Sequence, residues 1–315
     1  MTANIPNVYH FVFGLSEQTE PFHLMHYICL KSCLEVMQPD AIRFHYKNEP
    51  FGPLWQAIRP HLELVRIEPI TPANDYAYGD KSIEGFRYAH VSDFVRLEIL
   101  LREGGIYADM DTLFLRRLPA ALLSHECFMG HEKAHEADSG EGSLCNAVIG
   151  AARGSRFCQL WLDAMEGEFD GTWSNHSTLL PYRLALEHPA LIHVEPRTSF
   201  FGIDWTPQGI AELFERRRTL GEESFSLHLW SHLWFDPLRR DFSLFNGQLL
   251  TEDYVAFGDT TYAENARRFL PAAAGPSYPR YLKQLAGLSW RQFLHQAKMA
   301  IRTIIARRPA DGLDS

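Results

Sequence analysis

Two aspartates separated by one residue, in Asp109-Met110-Asp111, are the first place in this 315-residue chain where side chains could do chemistry. Side chains alternate along an extended strand, so two carboxylates at this spacing share one face. Left alone there, they repel. A hard divalent cation bridging them to a diphosphate removes that cost, because Mg²⁺ and Mn²⁺ take oxygen ligands and share them with substrate phosphates. A D-x-D triplet is weak by itself, and its surroundings decide. Upstream, Asp93 and Arg96 stand in RYAHVSDFVRLEILLR, whose apolar residues run nearly all round a helix. Charges on such a helix must be compensated. Their i, i+3 spacing lets the two pair with each other.

The elements that must position these groups follow from the pattern around them. NVYHFVF, FHLMHYICLKSCLEVM, AIRFHY, PLWQAI and LELVRIE alternate between strand-like and helix-like periodicity. That order predicts βαβ units, hence an α/β fold with a mostly parallel central sheet flanked by helices. The loop over 69–85, rich in Pro, Asn, Asp, Gly and Tyr, is long enough to be a functional lid. The helix predicted over 87–102 should be largely buried. Gly104 suits the left-handed position that ends a helix, Gly105 lets backbone approach a ligand closely, and Ile106-Tyr107-Ala108 opens a short strand. Asp109 and Asp111 then fall at that strand's C-terminal end, the edge where open α/β sheets bind ligands. Further on, CNAVIGA (145–151), residues 191–194 and SLHLW (226–230) read as strands, and 156–165 and 176–187 as helices. PAAAGPSYP (271–279) reads as a linker.

Read together, SDFVRLEILLREGGIYADMDT resembles the glycosyltransferases with a DXD-containing sugar-binding region, a family that includes initiating mannosyltransferases and capsule or lipid-modifying sugar transferases. The catalytic domains of large glucosylating toxins share the motif arrangement. The resemblance runs from Ile5 to about Trp234, with a poorly matched middle. It implies a GT-A nucleotide-diphospho-sugar-binding fold over 1–270, Mn²⁺ or Mg²⁺ as cofactor, and retention at the anomeric carbon. The donor would be a UDP- or GDP-sugar and the acceptor a glycan, a lipid-linked sugar or another hydroxyl. By the same resemblance Asp93 accepts hydrogen bonds from ribose or sugar hydroxyls, Arg96 binds sugar or phosphate, and Gly105 and Tyr107 lie in the donor-binding motif. Phe13 stands where the family commonly has a Trp against the donor's base, although an ordinary core role fits it too. Asp109 and Asp111 take the metal, His228 in SLHLWSHLW completes it in preference to His232, and Trp230 faces the donor. Asn146 opens the strand after the metal motif and is the candidate closest to the reacting carbon. The acidic residues Glu132, Glu136, Asp138 and Glu141 read as a solvated loop. A nucleotide-sugar hydrolase and a non-catalytic nucleotide-sugar-binding module are the alternatives.

Bulk properties bound these readings. With 46% hydrophobic and 22% charged residues, the chain can bury one large core or two modest ones, which suits one catalytic domain with appendages. No apolar run approaches membrane-spanning length, so a cytoplasmic protein is expected, with peripheral contact at the inner membrane face left open. Cys29, Cys33, Cys127, Cys145 and Cys158 show no CxxC pair and read as buried thiols. Between Asn265 and Ala310 there are nine Lys or Arg and no Asp or Glu, leaving 21 basic against 39 acidic residues elsewhere. Within the linker and tail (271–315), the stretch from Tyr281 to Arg308 alternates apolar and basic residues at roughly helical spacing. It suits docking on the acidic body, a homodimer contact or an anionic membrane surface; nothing in the chain suggests nucleic acid.

Overall fold

The run VYHFVF becomes strand β1 (Val8–Phe13), in which Tyr9 and Phe11 pack on one face and Val12 on the other. The protein is described by a computed structural model over residues 5–79, 81–134, 142–231 and 250–287. After β1 come α1 (Leu24–Ser32), β2 (Ala41–Tyr46), α2 (Pro53–Ile58), β3 (Glu63–Arg66), α3 (Lys81–Glu84), α4 (Arg87–Glu103), β4 (Gly105–Ala108), β5 (Thr112–Phe114) and β6 (Cys127–Glu132). β7 (Ser143–Ala151), α5 (Arg156–Glu168), α6 (Leu180–Glu187), β8 (His193–Glu195) and β9 (Ser226–His228) follow. The main sheet has the order β3-β2-β1-β4-β7-β6-β8. β3, β2, β1 and β4 are parallel, β7 runs antiparallel to β4 and β6, and β8 is parallel to β6. The α/β architecture with a mostly parallel sheet is as expected. Its direction of growth reverses at β1, with β2 and β3 on one side and β4 on the other. The C-terminal ends of β1 and β4 therefore flank the crevice where such sheets bind ligands.

Helices cover both faces. α1 packs against Tyr9, Phe11, Phe44 and Ile106, whereas α4 and α5 cover Val12, Tyr107, Met129 and Ile149. α4 is buried from His90 through Leu97, as its all-round apolar composition requires. Gly104 ends it at φ +67, and Gly105 continues at φ +114. A Cβ at Gly105 would lie 2.5 Å from the Val8 carbonyl oxygen and 2.9 Å from His10 Nε2. The close approach expected at Gly105 is thus made by β1 itself.

Two local expectations are corrected. β4 stops at Ala108, and the next residues form a turn closed by the Thr112 N–H donating to the Asp109 carbonyl at 3.1 Å. Asp109 and Asp111 are brought together by this turn, and strand alternation plays no part. Strand β9 likewise ends at His228, and Trp230 sits at φ +56, so the two do not share a strand face. His232 and Trp234 lie outside the described residues, as do Glu136, Asp138 and Glu141 and the basic stretch from 288 onward. The start of the tail is pinned to the body: Arg280 Nε lies 2.8 Å from Asp253 Oδ2, on the helix Glu252–Phe257, and the Ser277 N–H donates to Asp253 Oδ1 at 2.5 Å. All five cysteines are buried and unpaired. Among the described residues no helix is long and apolar enough to cross a membrane.

Candidate active site

The turn after β4, helix α4 and strand β9 converge at the crevice. Pairing of β5 with β9 sets Thr112 opposite His228, and the Leu229 N–H donates to the Asp111 carbonyl at 3.0 Å. This brings His228 Nδ1 to 3.3 Å from Asp111 Oδ1, while the Ser231 N–H donates to Asp111 Oδ2 at 2.8 Å. Asp109, Asp111 and His228 each offer one ligand atom, and these atoms lie within 4.8 Å of one another. His228 Nδ1 is buried and has no hydrogen-bond partner among the described residues. Two carboxylates and an orphaned imidazole nitrogen converging in this way suit a divalent cation. Burial holds the Asp109 carboxyl above its ordinary value; Arg96 opposes this shift and the neighbouring Asp111 charge adds to it.

Arg96 ties the turn to α4. Its Nη2 lies 2.9 Å from Asp93 Oδ1, its Nη1 donates to the Asn146 carbonyl at 2.7 Å and lies 3.4 Å from Asp109 Oδ1. The guanidinium also rests 4.5 Å above the Tyr107 ring. Burial works against its charge, but Tyr107, Asp109 and Asp93 outweigh burial and raise its basicity above the usual arginine value. Tyr107 in turn donates its hydroxyl proton to Asp109 Oδ1 at 2.5 Å. Asp93 accepts from the Asn146 side-chain amide at 2.8 Å and meets His176 Nε2 at 3.0 Å. Burial pushes its carboxyl up, yet Arg96 and His176 together hold it below the ordinary value. The internal ion pair that the i, i+3 spacing allows is thus formed.

Phe13 and Trp230 lie at the margins. Phe13, half-buried at the end of β1, contacts Phe22 at 5.4 Å and His26 at 4.8 Å and borders a cavity of about 200 Å³. Trp230 is buried, donates its indole N–H to the Ile203 carbonyl at 3.0 Å and packs on the His228 ring at 4.3 Å. Two histidines join the site unforeseen. His176 holds Asp93 from the turn of helix over Asn175–Leu179, and no local spacing announces it. His26 Nδ1 donates to the Met110 carbonyl at 2.9 Å, and beside it on α1 the Cys29 thiol donates to the Asp109 carbonyl at 3.6 Å.

His10, His45 and Glu103 form a second convergent group, away from the crevice. The Gly104 carbonyl, 2.8 Å from His10 Nε2, can only accept, so that nitrogen carries the proton and His10 Nδ1 accepts from His45 Nε2 at 3.1 Å. Arg43, 2.7 Å from Glu103, already supplies the cation here. This cluster pins the Gly104 turn.

Residues 67–129 match the family described as "Glycosyltransferase sugar-binding region containing DXD motif". Over 242 residues, 73% of its length, the chain is 31% identical to "Glucan organizing enzyme 1" of Cryptococcus neoformans var. grubii and covers 63% of that protein. Over 86 residues, 27% of its length, it is 34% identical to "Subversion of eukaryotic traffic protein A" of Legionella pneumophila, covering 13% of it. The chain therefore spans less than two thirds of either relative. Among solved structures it is similar to the galactosyltransferase LgtC in complex with donor and acceptor sugar analogs, at 12% identity and a TM-score of 0.43, covering 78% of this chain and 96% of that one.

Proposed function

We propose that this chain, whose residues 67–129 match the glycosyltransferase sugar-binding region containing a DXD motif, is a metal-dependent glycosyltransferase that uses a UDP- or GDP-sugar donor. The observation that carries this reading is the convergence of Asp109, Asp111 and His228 just beyond the C-terminal end of β4. These three residues would hold Mn²⁺ or Mg²⁺, which when bound offsets the charge that grows on a departing diphosphate.

The chain's own residues supply the rest of the reading. Tyr107 and Arg96 fix the Asp109 carboxylate in one rotamer, so its position is set before a donor arrives. Arg96 keeps a full positive charge beside that carboxylate, where it favours an anionic ligand. Asn146, its amide tied back to Asp93, is held near the same point and would hydrogen-bond the sugar during transfer. Asp93 serves first as the anchor for Arg96, Asn146 and His176, and an oxygen of it would meet a ribose or sugar hydroxyl. Phe13 would stack the base at the end of β1, and Trp230 holds the His228 ring in place. Transfer would proceed with retention, to a glycan or lipid-linked hydroxyl. The basic tail would add contact with an anionic cytoplasmic membrane face or a second copy of the chain.

Titration calorimetry with UDP and GDP, with and without Mn²⁺, tests the reading. Metal-dependent binding is expected for one of them and should vanish in Asp111→Ala while the thermal unfolding transition persists. Binding that is indifferent to metal, or unchanged in that variant, rejects it.

A further inference from the structure

Aromatic rings run in contact from the loop before α4 to that helix's first turn. Tyr76 meets Tyr78 at 5.1 Å, Tyr78 stacks on His90 at 5.5 Å, and His90 meets Trp173 at 5.7 Å. Trp173 meets Phe86 edge-on at 5.8 Å, and Phe86 meets Tyr88 at 6.2 Å. The inner rings have structural work. His90 is buried and shares a 2.7 Å hydrogen bond with the Tyr78 hydroxyl, and His176, packed on it at 5.1 Å, reaches Asp93. The outer end differs, for Tyr88 is 42% exposed and Phe86 and Trp173 are half-buried.

Its place is set by helix geometry. Tyr88, Ser92 and Arg96 are spaced four apart and form one row on α4. Ser92 Oγ lies 3.3 Å from the Tyr107 hydroxyl and Arg96 reaches Asp109, so the row leads from the metal turn outward to Tyr88. Phe13 packs with α1 on one face of the sheet, whereas α4 covers the other. The two aromatic groups therefore approach the strand edge from opposite sides. A donor with its base at Phe13 and its diphosphate at Asp109 and Asp111 leaves the Tyr88 side for the second substrate. A pyranose has an apolar C–H face and a polar rim, which suits a ring beside hydrogen-bonding groups.

We propose that Tyr88, flanked by Phe86 and Trp173, is the platform on which the pyranose ring of the acceptor sugar rests. This inference rests on the glycosyl-transfer reading. The test is saturation-transfer NMR on the full chain with Mn²⁺ and UDP or GDP, using methyl glucoside, methyl galactoside and methyl mannoside as probes. Wild type should transfer saturation to at least one of them, Tyr88→Ala should lose roughly tenfold in affinity for it, and Tyr88→Phe should retain it. No transfer to any probe in wild type, or equal transfer in Tyr88→Ala, overturns the proposal. A comparable loss in calorimetric nucleotide affinity in Tyr88→Ala would put the ring in the donor site and also overturn it. If nucleotide binding shows no metal dependence, the glycosyl-transfer reading fails first and takes this inference with it.

Discussion

Arg96 concentrates the electrostatics of the site in one residue. It stands between two carboxylates, Asp93 and Asp109, with almost no access to water on its own side chain, only 5%. Replacing it with Leu strands both anions, a change that costs about 3–5 kcal/mol when a buried pair loses one partner. Urea unfolding of Arg96→Leu should show a loss of that size. Arg96→Lys should recover little, because an ammonium cannot bridge Asp93, the Asn146 carbonyl and Asp109 while also lying flat on Tyr107. If Lys restores full stability, the fork geometry is not what matters. Asp93 and Arg96 were legible in the sequence because their relation is local, one helical turn on an otherwise apolar helix. His176 was not, since the contact that matters crosses from α4 to a distant helical turn and has no spacing to betray it.

Single elements place the metal turn. His26, Cys29 and Ser32 lie along one face of α1, and they engage the carbonyls of Met110 and Asp109 and the Phe114 N–H. The helix thus grips the backbone of the turn whose side chains face the crevice. His26→Leu removes the Met110 hydrogen bond at a stability cost of about 1 kcal/mol. It should weaken Mn²⁺ binding, measured by titration calorimetry, by more than that stability loss alone would produce. Unchanged metal affinity would assign His26 to packing. At the far end of β4, Gly105→Ala forces a Cβ against the Val8 carbonyl at φ +114. The backbone conformation alone costs about 1–3 kcal/mol, and the contact adds to it, so a marked fall in thermal midpoint is expected. A neutral substitution would mean that β1 shifts to accommodate it. Sequence periodicity located β4, α4 and the diglycine between them, but it misjudged the aspartates as strand neighbours. Period two cannot be told from a turn over three residues, and β9, which braces the turn through the Leu229 N–H on the Asp111 carbonyl, comes from far along the chain.

Across the whole molecule, the parallel run β3-β2-β1-β4 was legible and the reversal of the single strand β7 was not. Apolar alternation reports which face of a strand is buried and carries no information on direction, so β7 reversing between β4 and β6 left no mark. The same core encloses histidines that the sequence does not separate from surface ones. Burial lowers His45 to about 3, with neighbouring His10 lowering it further, and lowers His90 to about 4. Glu103 partly offsets the first shift, and Asp93 the second. In the unfolded chain these imidazoles take a proton as pH falls through the ordinary value of 6.5, while in the fold they stay neutral well below it. Their folded values are depressed, so stability is complete above about pH 6.5 and is lost progressively as pH falls toward 4 and 3. At pH 5 each contributes a loss of about 1–2 kcal/mol. The paired carboxylates Asp93 and Glu103 have lowered values and respond only at more acidic pH, so the two effects separate along the axis. Thermal midpoints taken from pH 7.5 to 5 should therefore decline, and His45→Asn, which keeps an N–H for His10 Nδ1, should make that decline shallower. If the slope in His45→Asn matches wild type, the buried imidazole pair is not the group that titrates.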